Sequence, residues 1–563
     1  MSSNNNSNNN ANTDSCIPDE LKDFIFDLHD SVRTSQIPSE QNGLYSGKFR
    51  ELTAKYFEKS AWPSPQAVSD ECGGDELFLA LYKELTQRHL HSIARPAPKD
   101  RVEGWHVYCS LFDLILQHIA QIQTSGKNDG AIFLLPEWVF DILHEFVYQF
   151  QGFCQFRTTT FTNAAKYGPG GTNQDKQIPH HLAESMDVLS NNRNTWAVEK
   201  VLTYLQQFNH AAESTRVTSV QYLALFAAVA QARLECLLGD YTASLDALSL
   251  IQSTSNDVQL INPPRGAEDD AKPLTPAEVV DSVFAAKLNV AYHQGVCYLM
   301  LRRYKDASFV LGNICSTMQR GFKAGEYKSI PGSDQFGKLF DRMIALLAII
   351  THACPETGLV EDGIARSIRE KHGKQLSKIE AGEEGYEDLF IYACPKFITP
   401  SVPRYELASM EGAGAGAGPS NQDAYKLQVK HFMNEMANQQ TMRKLRSYMK
   451  LYTSISLEKL GRLVMEEDFI SLLLSYKHKM RQIESSTNSS GSGGKPSSGS
   501  GDESAASTSE SVGTVMDIHY FINDGIIHVD EAEKLHRFEN YFMSQISQSI
   551  DVMANIDSIS VNI

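Results

Sequence analysis

Paired histidines at 89 and 91 are the first residues in this sequence whose spacing resembles a catalytic motif. His89-Leu90-His91 has the HxH spacing of zinc isopeptidases. That motif needs a strand, because side chains at i and i+2 of a helix point in different directions. Lys99 and Val102, eight and eleven residues after His91, stand where such enzymes place a Ser and an Asp. The pair therefore predicts ordinary surface or core histidines.

The other catalytic candidates fail on spacing as well. His144-Glu145 would open an HExxH zinc helix, but Tyr148 occupies the place of the second histidine. His180-His181 lies in sequence typical of a loop, and the Gly-Ala repeat at 412–418 follows no strand, so it does not predict a phosphate loop. We therefore expect no enzymatic activity, no cofactor and no metal site.

Composition narrows the class of partner and the compartment. The chain has 51 Lys+Arg against 68 Asp+Glu, a net charge of −17. A protein whose main task is to bind a phosphate backbone carries the opposite balance, so any nucleic-acid contact must be local.

The cysteines and apolar runs indicate the compartment. The nine cysteines are scattered singly along the chain, as in proteins whose thiols are reduced. The first fifteen residues do not resemble a signal peptide, and the most apolar run, Met343–Ile350, is too short to span a bilayer. We expect a soluble, cytoplasmic protein.

Amphipathic helix is the dominant pattern between the low-complexity segments. Apolar residues recur near the 3.6-residue period in Glu76–Ile93, and 105–122 and 136–156 follow, the last with Pro136 suited to a first turn. Four later helices, at 219–238, 242–251, 281–302 and 304–318, form two long-short pairs.

The two helix pairs have similar sequences at the turn between their helices. A Tyr follows the turn, at Tyr241 and Tyr304, and a small residue comes after it, at Ala247 and Ala307. This is loosely the pattern of tetratricopeptide-like hairpins. It predicts a helical-repeat array, with an irregular helical bundle as the alternative.

The end of the chain changes character. Ser456 can cap a short helix with Leu457, Leu460 and Leu463 on one face, and a second helix spans Glu466 to Met480. Two short apolar strands, 517–522 and 526–529, then flank a turn containing Asp-Gly. Helix, helix and hairpin in this order predict a winged helix.

A winged helix raises the question of nucleic-acid binding. Its second helix starts with Glu466-Glu467-Asp468, where a reader of the major groove usually carries Arg, Lys, Asn or Gln. Solvated helix faces are the favoured interpretation of the nearby basic residues. The candidates for a weak RNA contact are Arg443, Lys444, Arg446, Lys477 and Lys479.

Two apolar features predict a subunit interface. A hairpin at a domain edge offers unpaired backbone groups to another strand. After it, Leu535, Phe538, Phe542, Ile546, Ile550 and Met553 are spaced as one helix face. This stripe packs either on the chain's own winged helix or in a bundle with neighbouring subunits. The candidate interface residues are Ile518, Tyr520, Ile526, Ile527, Leu535, Phe538, Phe542, Ile546 and Ile550.

These features divide the chain into predicted segments. They are a disordered Asn/Ser-rich tail (1–20), an N-terminal helical region (21–157), a polar loop (158–180), the helical-repeat array (181–410), a Gly/Ala linker (411–424), the winged helix (425–480 and 515–530), a disordered Ser/Gly insert (484–514) and a C-terminal helix and tail (531–563).

Several aromatic-rich phrases resemble a known family. They include LPEWVFDILHEFVYQFQGFCQFR (135–157), YEDLFIYACPKFITPSVPRY (386–405), LRSYMKLYTSISLEKLGRLV (445–464) and DIHYFINDGIIHV (517–529). The chain is similar to the subunit L family of eukaryotic translation initiation factor three, among the PCI-domain proteins. The resemblance implies a mostly α fold, in which a helical-repeat array is followed by a winged-helix PCI module with a small β-hairpin and a C-terminal helix.

The resemblance also implies a function. It points to a non-catalytic scaffold subunit of the initiation factor, next to PCI subunits such as K and E. The small ribosomal subunit and mRNA would be reached through the complex, with no membrane and no small-molecule substrate. Two alternatives stay open: a PCI scaffold subunit of the proteasome lid or signalosome, and a winged-helix regulator that binds nucleic acid.

Overall fold

Helices make up nearly all of the regular structure. The computed structural model describes residues 17–34, 38–93, 96–125, 132–168, 172–173, 176–214, 217–252, 260–261, 272–329, 333–353, 360–380, 385–405, 421–464, 468–478, 518–531, 546, 549 and 553. The chain forms two units. The first comprises Met1–His352 and Thr357–Phe432, and the second comprises Ala353–Glu356 and Met433–Ile563.

The first unit is helical. Its helices are α1 (Asp19–Thr34), α2 (Pro38–Asn42), α3 (Phe49–Tyr56), α4 (Pro65–Val68), α5 (Glu76–Ile93), α6 (Pro98–Ser125), α7 (Pro136–Ala165), α8 (His180–Asn191), α9 (Val198–Ser214), α10 (Thr218–Leu238), α11 (Tyr241–Ala247), α12 (Ser249–Gln252), α13 (Pro276–Ser282), α14 (Phe284–Met300), α15 (Tyr304–Ala324), α16 (Ser333–Ala353), α17 (Asp362–Glu380) and α18 (Gly385–Ala393). A π-helical segment, Gly43–Lys48, lies between α2 and α3.

Local sequence explains several helix boundaries. α5 spans the predicted residues, and α7 begins with Pro136 in its first turn, as predicted. The polar loop predicted from residue 158 is wrong over its first part, because α7 continues to Ala165. Thr158 is buried there, and its hydroxyl donates to the Cys154 carbonyl at 3.0 Å, so the helix satisfies a polar group that resembled loop sequence.

Helix α10 lies at the centre of the first unit. It is buried over nearly its whole length and packs on α7, α9, α11 and α14. Gly239 ends it with a φ of 93°, a left-handed conformation that suits glycine, and the Asp240 side chain caps α11 by accepting from the Ala243 amide at 3.0 Å. By length and composition α10 is also the one helix in the described part of the chain that could span a membrane. However, 89% of its apolar window is buried inside the protein, which is typical of a core helix.

Helices α14 and α15 approach each other through a glycine. A Cβ at Gly295 would lie 2.5 Å from Cγ of Leu311. Tyr304 and Ala307 at the start of α15 are buried, as the repeat pattern predicts, whereas Tyr241 is half-buried and donates to Oε1 of Gln428 at 2.9 Å. The absence of a side chain at 295 therefore allows these two helices to pack closely.

A buried polar network joins four elements near the N-terminus. Arg88 on α5 donates to Oε2 of Glu84 at 3.1 Å and to Oη of Tyr45 at 2.9 Å. Tyr45 donates to Oδ2 of Asp141 on α7 at 2.7 Å, and Tyr108 on α6 donates to Oε1 of Glu84 at 3.1 Å. Each buried charge has a hydrogen-bonded partner, so the network fixes how these helices pack.

The second unit adds the small sheet. After the part of α19 (Asn421–Met449) that begins at Met433 come β1 (Ser454–Ser456), α20 (Leu457–Val464), α21 (469–478), β2 (Ile518–Asn523) and β3 (Ile526–Glu531). The strand order is β1-β3-β2, and both pairings are antiparallel. This is the element order of a winged helix.

The predicted mostly α fold with a small hairpin is confirmed. Strand β1 was missed, because the sequence predicted Ser456 only as the cap of the following helix. Ser456 does both: it ends β1, and its Oγ accepts from the Lys459 amide at 3.4 Å to cap α20. The segment boundaries predicted from the sequence otherwise stay predictions, and the tail before residue 17 and the insert at 484–514 lie outside the described residues.

The contact between α14 and α15 yields a first prediction. Gly295→Ala places a methyl group against Leu311 and should lower the free energy of unfolding by about 1–3 kcal/mol. Gly337→Ala on α16 is the matched control, because nothing lies within 4 Å of its Cβ position, and it should stabilise by up to about 1 kcal/mol. Thermal unfolding followed by far-UV circular dichroism measures both; equal effects would contradict the close packing.

A second prediction concerns Glu145 on α7. Burial raises the pKa of its carboxyl from 4.5 to about 7, an effect that Glu84 adds to and that Gln149, Arg88 and Arg233 oppose. Between these values the folded chain holds a proton that the unfolded chain has released, so this contribution to stability is present below pH 4.5 and is lost as the pH rises through 7.

Gln imitates the protonated carboxyl, so Glu145→Gln should gain stability relative to the wild type between pH 5 and pH 8, by up to about 3 kcal/mol. Urea unfolding of both proteins at a series of pH values measures this gap. A constant difference between the two curves would contradict the raised pKa.

Candidate subunit interface

The second unit is built around its own apolar core. One face of α19 supplies Met442, Leu445 and Met449 at helical spacing, and each later element adds side chains that point the same way. The other buried members are Ile455, Leu460, Val464, Phe469, Leu473, Tyr476, Tyr520 and Ile527. This core fixes which faces of α21 and the hairpin are left for solvent.

Tyr520 ties the hairpin to α21. Its hydroxyl donates to the Leu473 carbonyl at 2.5 Å, and its ring centroid lies 6.1 Å from that of Tyr476. The Lys477 Nζ lies 5.6 Å from the centre of the same ring. Burial raises the pKa of Tyr520 to about 12, so the hydroxyl stays a donor at neutral pH.

The turn of the hairpin is fixed from two sides. Asp524 and Gly525 have φ values of 45° and 75°, the left-handed pair of a two-residue type I′ turn. The Gly525 carbonyl accepts from the Leu457 amide at 2.9 Å, and the Val529 amide donates to the Thr453 carbonyl at 2.8 Å. The hairpin is thus anchored to the start of α20.

The outer face of the sheet carries two exposed apolar side chains, Phe521 and Ile526, among polar residues. Phe521 lies opposite His528 with stacked rings 5.0 Å apart, and is 56% exposed. Ile526, which pairs with Asn523 two positions along and so lies on the same face, is 40% exposed. Within the described residues β2 has β3 as its sole sheet neighbour, so its other edge carries unpaired backbone groups. We call Phe521, Ile526 and this edge the wing surface.

Helix α21 also exposes apolar side chains. Ile470 and Leu474, one turn apart, are 58% and 63% exposed, beside the buried stripe of Phe469, Leu473 and Tyr476. A helix that reads the major groove carries Arg, Lys, Asn or Gln at exposed positions. This exposed pair was not predicted, although its i, i+4 spacing is visible in the sequence.

The structure separates the predicted interface residues. Ile527 and Tyr520 are buried in the unit's own core, whereas Ile526 is exposed. Ile518 pairs with Glu531 in the backbone register of β2 and β3. Of the C-terminal stripe, Ile546 is exposed, as is Met553. The rest of the stripe lies outside the described residues: Leu535, Phe538, Phe542 and Ile550.

The candidate RNA contacts lie on two helices. On α19, Lys444 is exposed, while Arg443 and Arg446 are half-buried. The Arg446 Nε is buried and has no hydrogen-bond partner among the described residues. Lys477 on α21 is exposed and contacts the Tyr520 ring, and Lys479 lies outside the described residues.

The histidines considered above as catalytic candidates make structural contacts. The His89 Nε2 lies 3.0 Å from the Phe57 carbonyl, and burial lowers the pKa of His91. His144 contacts the Arg233 guanidinium at 3.1 Å. His180-His181 begins α8, so their assignment to a loop is wrong; Pro179 before them suits a helix start. Across the described ranges no group of three or more His, Cys, Asp or Glu side chains is placed to hold a metal.

Comparison with known proteins finds relatives that match most of this chain. The family model described as RNA polymerase I-associated factor PAF67 matches residues 100–549. A Nematostella vectensis protein named eukaryotic translation initiation factor 3 subunit L is 28% identical, over 96% of this chain and 94% of its own length. Proteins of the same name from Mus musculus and Homo sapiens are 28% and 27% identical, each over 89% of this chain and 80% of their own. The resemblance inferred from the sequence is confirmed.

The two faces of the hairpin give a third prediction. Ile527→Ala removes a fully buried side chain and should destabilise the second unit by about 2–4 kcal/mol. Ile526→Ala, the neighbour on the outer face, should cost less than about 1 kcal/mol. Hydrogen exchange of the β3 amides in the isolated chain measures both, and comparable losses of protection would contradict the assignment of the faces.

Proposed function

The chain belongs to the family described as RNA polymerase I-associated factor PAF67, and from that premise we propose that it is a non-catalytic scaffold subunit of eukaryotic translation initiation factor 3. The observation that carries the proposal is similarity along almost the whole chain to proteins named as subunit L of that factor. These proteins come from a sea anemone, mouse and zebrafish, and the alignments leave no large part of this chain for another activity.

The proposed scaffold role includes specific neighbours. The chain would lie beside other subunits of PCI type, namely subunits K and E. It supports binding of the small ribosomal subunit and recruitment of mRNA through the complex, in the cytoplasm. The winged-helix order of the second unit and its exposed apolar faces support this placement, because a scaffold subunit acts through contacts with other chains.

Within the complex, the wing surface contacts a neighbouring subunit. The open edge of β2 can be extended by a strand of that subunit, and Phe521 supplies an aromatic anchor beside it. The C-terminal stripe, with Ile546 and Met553 exposed, joins a helical bundle with neighbouring subunits. These contacts leave Tyr520 and Ile527 to hold the second unit together.

Two alternatives differ in the partners that they require. A scaffold subunit of the proteasome lid or signalosome would use the same kinds of surface. A winged-helix regulator would bind nucleic acid through α21, but the exposed Ile470 and Leu474 offer neither charge nor hydrogen bonds to DNA. The description of the matched family also names RNA polymerase I as a partner.

Affinity purification of the tagged full-length chain from cytoplasm, followed by mass spectrometry, separates these functions. Recovery of the initiation-factor subunits supports the proposal. Recovery of lid, signalosome or RNA polymerase I subunits without them would overturn it, as would recovery of nucleic acid alone.

The wing surface gives a fourth prediction. Phe521→Glu with Ile526→Glu should reduce recovery of the initiation-factor subunits at least tenfold, because each burial of a large apolar side chain contributes about 1.5–3 kcal/mol to binding. Phe26→Glu with Leu451→Glu, which places the same charges at exposed apolar positions elsewhere, is the matched control.

The free energy of unfolding of both double variants should stay within about 1 kcal/mol of the wild-type value, because all four side chains are exposed. Full recovery of the complex with the wing variant, or an equal loss with the control, would contradict a role of the wing surface.

A further inference from the structure

Helix α17 carries a basic face on an acidic chain. Its inner side packs on α15 and α18 through the buried Ile364, Ile368 and Ile379. The Gln319 side chain on α15 donates to Oγ of Ser367 at 2.9 Å, which fixes the rotation of α17 about its axis. These contacts determine which side chains the helix presents to solvent.

The outward side chains are mostly cations. Arg366, Arg369, Lys374 and Lys378 are exposed. Two acids of the helix are exposed as well: Glu370, which lies among the four cations, and Asp362 at the first residue of α17. None of the four forms an ion pair with a described residue, and the contact shown for them is a hydrogen bond from Arg369 Nε to the Ala365 carbonyl at 3.3 Å. No described side chain therefore pairs with these four charges, although the chain as a whole has a net charge of −17.

A fifth cation on the helix is already engaged. The Lys371 Nζ pairs with Asp341 on α16 and lies 5.0 Å from the centre of the Phe340 ring. It helps to hold α17 against α16 and marks the border of the basic face. We define the α17 basic face as Arg366, Arg369, Lys374 and Lys378.

We propose that the α17 basic face binds the phosphate backbone of RNA. Arg366 and Lys378 are twelve residues apart, so the face extends along about 18 Å of helix and can meet several successive phosphates. The arginine guanidinium matches phosphate oxygens in a bidentate geometry, and lysine adds point charges. Binding of this kind is independent of base sequence, because it reads no base edges.

The composition of the face favours RNA over a protein partner. Exposed positions on α17 hold only charged residues, Ser and Gly. Protein interfaces have a core of aromatic or other apolar side chains and are depleted in lysine, and this face offers no such anchor. Phosphate binding requires cations alone. This site differs from the predicted contacts on α19 and α21, where two arginines are half-buried.

Fluorescence anisotropy of a labelled single-stranded RNA of about 20 nucleotides, titrated with the full-length chain at several salt concentrations, tests the site. On single-stranded RNA each phosphate contact contributes about −0.7 to the slope of log K against log salt concentration. Four contacts therefore predict a slope of about −2.8 for the wild type. Arg369→Gln with Lys374→Gln should reduce the slope to about −1.4 and weaken binding at least tenfold in about 0.1 M salt.

Lys426→Gln with Lys430→Gln is the matched control, since both lysines are exposed on α19 and the change in net charge is the same. It should leave the affinity within about twofold and the slope unchanged. Equal weakening by both variants would show a general charge effect and overturn the site. Binding of an acidic polypeptide but not of RNA would overturn it in favour of a protein partner.

Thermal unfolding of both variants checks that the chain stays folded. The inference does not depend on the proposed function: recovery of the initiation-factor subunits by the α17 variant tests assembly, while anisotropy tests RNA binding. Loss of RNA binding with assembly intact is the expected result, and loss of assembly with RNA binding intact would contradict the assignment of α17.

Discussion

Burial of α10 is the constraint on which the first unit depends. This helix is apolar around its whole circumference, so it is stable in water only when other helices surround it. α7, α9, α11 and α14 do so. One of them, α14, packs closely in turn on α15, because Gly295 has no side chain. The turn at Gly239 and Asp240 then directs the chain into the next hairpin. The array of helices follows from the need to cover one apolar segment.

The second unit buries only part of its apolar surface. Its core is closed by Tyr520, Ile527 and the inner face of α21, yet Phe521, Ile526, Ile470 and Leu474 remain in solvent beside an open strand edge. Apolar surface that the chain does not bury itself is available to another chain. Together with the similarity to proteins named as subunits of an initiation factor, this exposed apolar surface supports the proposed scaffold role.

Local signals predicted much of the fold. The period of apolar residues located α5, the long-short helix pattern located α10, and Asp524-Gly525 located the hairpin. Signals that depend on distant residues were missed. Strand β1 has three residues, and Ile455 pairs with Ile527, which lies far along the chain, so nothing local marks it as a strand. Alternation in β3 separates Ile526 from Ile527 but does not say which of them faces the core. The sequence therefore predicted which elements form the candidate interface, whereas the packing of the folded chain determines which of their side chains are exposed.

Hydrogen exchange of the wing amides tests the central claim, that a neighbouring chain covers the open edge of the second unit. It compares the free full-length chain with the chain assembled in its complex, at the same protein concentration and pH. The account predicts that the outward-facing amides of β2, between Ile518 and Asn523, gain protection on assembly, while amides of the buried α10 do not change. Equal exchange of the β2 amides in both states would contradict it.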